Sequence, residues 1–401
     1  MKLTNKSKYL INLFDKNKII KKENLTNETE NILHDFYLTL IKAFKFVQKI
    51  NINKYVSFAI EKIDNFRNIP KPVSFPPNSL PKEIRSHIET MSKSIFKYSL
   101  EIYDRNITIL FITELTNPEI YIKTYDKYFK FMLVWLYIIN EVSLEKCATE
   151  LTVYIYHTSL LKKLPSNNND ILDEINVNTA FTSTCPVNSE IVIFRKEEWF
   201  KVFIHETIHN FGLDFSDLNI NSCNEKILLL FNATSKVNLY ESYAEFWARI
   251  INVMFCSFVS LDSFEKFKNN FEQIISSEIV YSCVQMIKVL NYMDLDYVSL
   301  ISKKESKTLY KENTSVLSYY IITFVLIYSY QDFLLWCETN NSEILSFKKT
   351  QKNILDFCKF IKEKYKTNDL IQFIKMIQTS DITNKNKFMN NNLRMTLCEL
   401  D

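Results

Sequence analysis

Residues 199–212 read WFKVFIHETIHNFG, and the rest of the chain is organised around them. At their centre lies His205-Glu206-Thr207-Ile208-His209, an H-E-x-x-H motif. On a helix, positions i and i+4 lie one turn apart on the same face, so both imidazoles can reach one metal ion. Glu206 sits about 100° round the helix, where it can reach a water beside the metal rather than the metal itself. Zinc lowers the pKa of such a water, and the carboxylate takes its proton as it attacks a carbonyl. With only five histidines in the chain, chance supplies about 0.004 such motifs. Phe200, Phe203, Ile204, Ile208 and Phe211 add the apolar stripe of a buried helix.

Gly212 is the only glycine in 401 residues, where average usage would give roughly 28. It stands three residues after the second histidine, where the helix must stop and turn. A residue just past a helix end commonly needs φ > 0, which glycine adopts at least cost. Elsewhere the chain must turn with Asn, Asp, Ser or Pro. The wealth of Asn, Lys and Ile beside this shortage reads as codon bias of an AT-rich genome.

Upstream, residues 107–112 form a β-branched run, 120–140 a helix dense in aromatics, and 151–156 a strand. Residues 178–182 and 190–195 follow, with a turn at 185–189, and lead directly into the metal helix. An extended strand beside a metal can pair with a peptide and hold its carbonyl in place. Residues 1–69 and 82–104 read as helices, the latter from Ile84, Ile88, Met91 and Ile95. Five of the eight prolines fall between Pro70 and Pro81, predicting an extended linker or surface strap at 70–81. Downstream, 225–231, 239–259 and 261–290 read as helices. Residues 315–330 carry no charge but are too short for a membrane span and contain four tyrosines, which predicts a buried core helix. From 348 the chain reads as charged helix, fading into an Asn-rich stretch at 384–392. The fold class expected is α+β, mostly helical, with a small sheet packed on the motif helix.

Hydrophobic content of 47% marks a folded protein, and 49 basic against 46 acidic residues leave +3, too balanced for nucleic-acid binding through bulk charge. The N-terminus has no apolar core of a secretory signal. None of the eight cysteines forms C-x-x-C, so reduced, scattered thiols in a cytoplasmic or intracellular compartment are expected.

Two histidines do not complete a catalytic zinc site. In the metzincin pattern the third ligand falls three residues after the glycine, which here is Phe215 and cannot ligate. Asp214 and Asp217 lie nearby, out of that register. Glu241 is the remaining candidate, on the next strong helix, with Glu245 one turn on. One carboxylate can bind the metal while the other orients a ligand imidazole.

With HETIH followed by ESYAE at 241–245, the chain resembles the gluzincins, the zinc peptidases typified by thermolysin and lethal-factor-type toxins. That resemblance implies one Zn²⁺ per chain on His205, His209 and Glu241, with Glu206 as general base, Glu245 supporting a ligand, and a peptide or protein as substrate. Asn178 and Ala180 look like the group's substrate-binding edge strand. It further implies a zincin-like catalytic region at about 105–300, with helical regions at 1–100 and 301–401. The phrase WFKVFIHETIHNFGLDFS is also similar to metallopeptidase-like proteins of giant DNA viruses, which implies an infected-cell or virion location. The alternative expectation is a zincin-derived scaffold, or a helical interaction protein, in which zinc is structural or absent.

Overall fold

A computed structural model describes residues 3–17, 19–21, 23–49, 55–167, 170–258, 263–380 and 387–401. The fold is α+β. It divides into two compact units, one of residues 34–161 and 179–213, the other of residues 1–33, 162–178 and 214–401.

The first unit holds a six-stranded mixed sheet: β1 (Val56–Lys62), β2 (Ser94–Ile102), β3 (Arg105–Thr113), β4 (Glu150–His157), β5 (Ala180–Thr182) and β6 (Asn188–Ile193). Their order is β1-β2-β3-β4-β6-β5. β3, β4 and β6 run parallel, while β1, β2 and β5 pair antiparallel. Parallel pairing needs a crossover, and helix Ile122–Val142 supplies the one from β3 to β4.

Two stretches expected to be helical are strands. Helix α3 (Lys82–Met91; α1 is Asn5–Lys16 and α2 Asn27–Lys49) stops at Met91, and β2 begins at Ser94. Its buried Phe96, Tyr98, Leu100 and Ile102 recur at every second residue, the period of a half-buried strand. Ile95 had matched the helical stripe by coincidence of spacing. β1 is an edge strand that buries only Val56, so it leaves no alternation to read. The β2–β3 hairpin turns on Tyr103 and Asp104, both at positive φ (51° and 57°). Such two-residue turns favour Asn-Gly or Asp-Gly, but this chain makes do with ordinary residues.

Residues 69–80 form a strap over the sheet. Tyr156 Oη donates to the Pro70 carbonyl at 2.6 Å. Prolines carry no N–H, and the buried Glu190 carboxylate collects two that remain, from Val73 (2.8 Å) and Ser74 (2.6 Å). Tyr154 Oη adds a bond to Glu190 at 3.3 Å, so the burial of this charge is compensated. Phe75 packs edge-on against Phe181 of β5, centroids 4.8 Å apart. A cavity of about 630 Å³ opens beneath the strap, walled by Pro72, Phe75, Leu80, Ile88, Tyr156 and Phe181.

The second unit is helical. Labelling Ile122–Val142 as α4 and Trp199–Asn210 as α5, its longer helices are α6 (Asn221–Phe231), α7 (Leu239–Ser257), α8 (Phe264–Tyr292), α9 (Thr323–Tyr328), α10 (Tyr330–Asn340), α11 (Gln351–Lys364) and α12 (Asn368–Gln378). The uncharged run at 315–330 is buried, as expected, but it is not one helix. It opens as a π-helical turn, Leu317–Ile322, continues as α9, and bends by 92° into α10. Among the described residues no single helix is long and apolar enough to cross a membrane. The C-terminal tail is drawn inside. Arg394 donates to the carbonyls of Thr396 and Leu397 and pairs with Glu399 at 2.6 Å, while Glu278 accepts from Leu397 N–H. Of the Asn-rich stretch expected at 384–392, residues 384–386 lie outside the described residues, and Lys387–Asn391 form a short helix.

Candidate metal centre

All twelve residues of α5 are buried, and Thr207 and Asn210 anchor it through specific bonds. Thr207 Oγ1 accepts from the indole N–H of Trp135 on α4 at 2.7 Å and donates back to the Phe203 carbonyl at 2.9 Å. Asn210 Nδ2 donates to Thr182 Oγ1 of β5 at 2.8 Å and to Ser189 Oγ of β6. The helix is thereby tied to its crossover neighbour on one side and to two strands on another.

It ends as the sequence predicts. Gly212 has φ +72°, its N–H donates to the His209 carbonyl (3.0 Å), and Leu213 N–H donates to the Ile208 carbonyl (2.9 Å). These are the paired bonds of a Schellman stop. The backbone alone does not explain why glycine persists here, because among the described residues seven others hold positive φ without it. A Cβ at Gly212 would lie 3.3 Å from Cys147 Sγ and 3.3 Å from Cys185 Cβ. Those two cysteines form a disulfide, which corrects the expectation of reduced, scattered thiols. Their separation of 38 residues leaves no local signature, since the pairing arises only when the β5–β6 turn meets the loop before β4. Cys185 N–H also donates to the His209 carbonyl at 3.4 Å, so the disulfide abuts the stop of the histidine helix.

The two imidazoles converge. His205 Nε2 and His209 Nε2 lie 3.1 Å apart. Two nitrogens bound to one tetrahedral zinc at ~2.0–2.1 Å sit about 3.3–3.4 Å from each other, so the pair already stands near ligand spacing. With Glu241 of α7 they form a group whose ligand atoms all lie within 4.8 Å of one another, and this group can hold a metal ion. Both histidines are buried and Glu241 is half-buried. Glu206 is buried beside His205 on α5.

The other candidates for third ligand are engaged elsewhere. Asp214 Oδ1 accepts from Ser216 Oγ at 2.9 Å, and Asp217 pairs with Lys349 at 2.9 Å on the surface. Phe215, at the metzincin position, is a core residue packed on Phe347, centroids 4.3 Å apart. His157 lies among Phe111, Tyr125, Tyr128 and Trp199. Burial, with the nearby Lys196, pushes its pKa down to about 3. His87 pairs with Glu114 at 2.7 Å, and His34 is exposed.

Glu245 forms a buried ion pair with Arg249, Oε1 to Nε 2.8 Å. Arg249 in turn donates to Ser282 Oγ (2.7 Å) and to the carbonyl of Tyr319 (3.2 Å). Tyr319 stands on the π-helical turn, and its hydroxyl donates to Glu241 Oε2 at 3.0 Å. The second carboxylate of ESYAE therefore acts through Arg249 on the backbone of the tyrosine that grips the first. Arg249 was legible as an i+4 partner of Glu245, whereas nothing in the sequence singles out Tyr319 among 22 tyrosines. Ala180 lies on the terminal strand β5. Asn178 precedes it, closing the helical turn Glu174–Val177, and its Oδ1 accepts from Thr314 Oγ1 at 2.9 Å.

No protein-family model matches the chain, and no solved structure matches it significantly. Over 98 residues it is 33% identical to uncharacterized protein R210 of Acanthamoeba polyphaga mimivirus, a match spanning 24% of this chain and 24% of that protein. The chain thus aligns with about a quarter of its viral relative's length.

Proposed function

We propose that this chain is a zinc metallopeptidase. The observation that carries the proposal is the convergence of His205, His209 and Glu241 at ligand spacing, with a glutamate next in sequence to the first histidine. Two imidazoles and a carboxylate favour zinc among common divalent ions. When bound, Zn²⁺ would polarise the scissile carbonyl and lower the pKa of water. Glu206 is the general base: it takes the proton of the attacking water and delivers it to the leaving amine. Tyr319 holds Glu241 in place, and the Glu245–Arg249 pair fixes the Tyr319 backbone. The outer edge of β5 at Ala180 offers main-chain groups to an extended peptide.

The near-complete burial of His205, Glu206 and His209 (5%, 7% and 7% exposed) favours a second reading, in which the metal serves stability alone. Elemental analysis of the wild type beside His205→Ala and Glu241→Ala addresses the metal. About one zinc per chain is expected, with loss in both variants; a metal-free wild type after reloading would sink both readings. Peptide hydrolysis by wild type and Glu206→Gln then separates them. The peptidase reading expects Glu206→Gln to keep its zinc and lose about 10²–10⁴-fold in rate. Turnover equal to wild type in that variant refutes the mechanism, and a zinc-loaded wild type inert toward a diverse peptide library supports the structural alternative.

A further inference from the structure

The cavity beneath the strap belongs wholly to the first unit. It holds about 630 Å³, inside the ~300–1,000 Å³ of pockets that take a small organic ligand. Protein interiors are otherwise close-packed, with few voids larger than a water molecule. Strand pleating places it on the face of the sheet opposite α5. Thr182 of β5 points to that helix, where it meets Asn210, so the neighbouring Phe181, a wall of the cavity, points the other way. The strap is held off the sheet by named bonds. Tyr156 grips the Pro70 carbonyl, and Glu190 grips the N–H groups of Val73 and Ser74. Arg85 Nη1 of α3 donates to the Pro77 carbonyl at 3.1 Å, and Phe75 rests on Phe181. Pro70, Pro72, Pro76 and Pro77 fix φ along the same segment, which leaves it little freedom to fold down and fill the space.

The lining is mostly apolar, but Lys71, Glu89 and Arg85 join it. Lys71 and Glu89 pair at 3.2 Å, so their charges cancel. Glu190 is not part of the lining, and its oxygens are taken by the strap. Arg85 has no acidic partner among the described residues, and the neutral Pro77 carbonyl is its hydrogen-bond acceptor. A guanidinium carries five N–H donors, so most of those on Arg85 stay open beside an apolar space. Ser74, with its hydroxyl, also lines the cavity. We propose that this cavity binds a small amphiphile with a single carboxylate, of the medium-chain fatty acid class. Its alkyl body lies among Phe75, Leu80, Ile88 and Phe181, and its carboxylate meets Arg85 and the Ser74 hydroxyl. A planar guanidinium matches a carboxylate with two parallel bonds. One uncompensated cation selects a head with one negative charge, and a neutral or cationic head would leave it unpaired.

The test is a headgroup series. Full-length protein is titrated calorimetrically with decanoate, kept below its micelle concentration, and with decanol and decyltrimethylammonium as neutral and cationic counterparts. Saturation at about one decanoate per chain is expected, roughly tenfold or more tighter than either counterpart. Arg85→Gln should erase that preference, weakening decanoate by roughly tenfold or more and leaving decanol unchanged. Leu80→Trp puts an indole into the cavity from a half-buried position and should abolish binding of both. Urea unfolding reports whether each variant is folded, and the headgroup series with Arg85→Gln tests the site even where Leu80→Trp is not. Decanoate that fails to saturate, binds no better than decyltrimethylammonium, or binds Arg85→Gln as tightly as wild type would overturn the proposal. Undiminished binding to a folded Leu80→Trp would put the ligand elsewhere and overturn it equally. The readout is heat of binding, so it needs neither bound metal nor turnover.

Discussion

Removing one oxygen atom, in Tyr319→Phe, tests how the candidate third ligand is held. The hydroxyl donates to Glu241 Oε2 at 3.0 Å, and a hydrogen bond to a charged group contributes about 1.5–3 kcal/mol. If that bond holds the carboxylate in ligating position, its loss should weaken zinc binding by roughly 10–100-fold, the usual effect of removing a partner behind a metal ligand. In free energy this is about 1.4–2.7 kcal/mol, within the range of the lost bond. Affinity is read by competition against a chromophoric chelator of known zinc affinity. The adjacent Tyr320 supplies the control, since its hydroxyl donates to the Leu393 carbonyl at 2.6 Å. Tyr320→Phe should cost about 1 kcal/mol of stability and leave zinc affinity unchanged. Arg249 would be a poorer probe, because its removal strands the buried Glu245 carboxylate at a cost of about 3–5 kcal/mol and would blur binding with folding. Equal zinc affinity in Tyr319→Phe, Tyr320→Phe and wild type would refute the argument that Tyr319 positions Glu241.

Gly212→Ala should destabilise by about 2–5 kcal/mol, combining ~1–2 for the left-handed backbone with ~1–3 for crowding against the disulfide. Asp104→Gly, at a hairpin position of similar φ (57°), should change stability by less than about 1 kcal/mol, and equal urea midpoints for Gly212→Ala and wild type would contradict the account of the lone glycine. Glu312 accepts from Tyr310 Oη (2.6 Å) and from Leu317 N–H (2.8 Å) at the start of the π-helical turn. Burial pushes its pKa up to about 7 against these bonds, from the ordinary 4.5. The folded state therefore binds more protons between those values, so stability should fall as pH rises from about 4.5 to about 7, by at most ~3 kcal/mol. Urea unfolding across that window should show this decline in wild type relative to Glu312→Gln, and parallel pH profiles would count against it.

What was legible in the sequence is what local geometry determines. The i, i+4 spacing of His205 and His209 places both rings on one face in any helix, and Gly212 marks the stop that the Schellman bonds then make. Glu241 could be proposed because a helix with a carboxylate in its first turn follows the motif at a plausible distance. The strands β1 and β2 were hidden because their stability comes from pairing with residues far along the chain: Phe96 faces Ile60 on one side and Phe111 on the other. Tyr319 and the Cys147–Cys185 bond were hidden for the same reason. Each depends on a contact between segments whose separation carries no pattern.

The motif helix also shows that the ligand pattern is only part of what its sequence encodes. Successive residues turn by about 100°, so HETIHN cannot aim all four of its non-ligand residues at the metal. Thr207 points to Trp135, and Asn210 to β5 and β6. Both are poor helix formers in a buried helix, and each is accommodated by a specific bond that an apolar residue could not make. A metal site tolerates only about 0.5 Å of misplacement in its donors, and a helix packed through apolar contacts alone can slide or rotate by more than that. Directional bonds at 207 and 210 restrict both motions, one on each side of the second histidine. The polar residues between and after the ligands are therefore part of the same device as the ligands: they convert a helix that merely carries two histidines into one held in a fixed position against α4, β5 and β6.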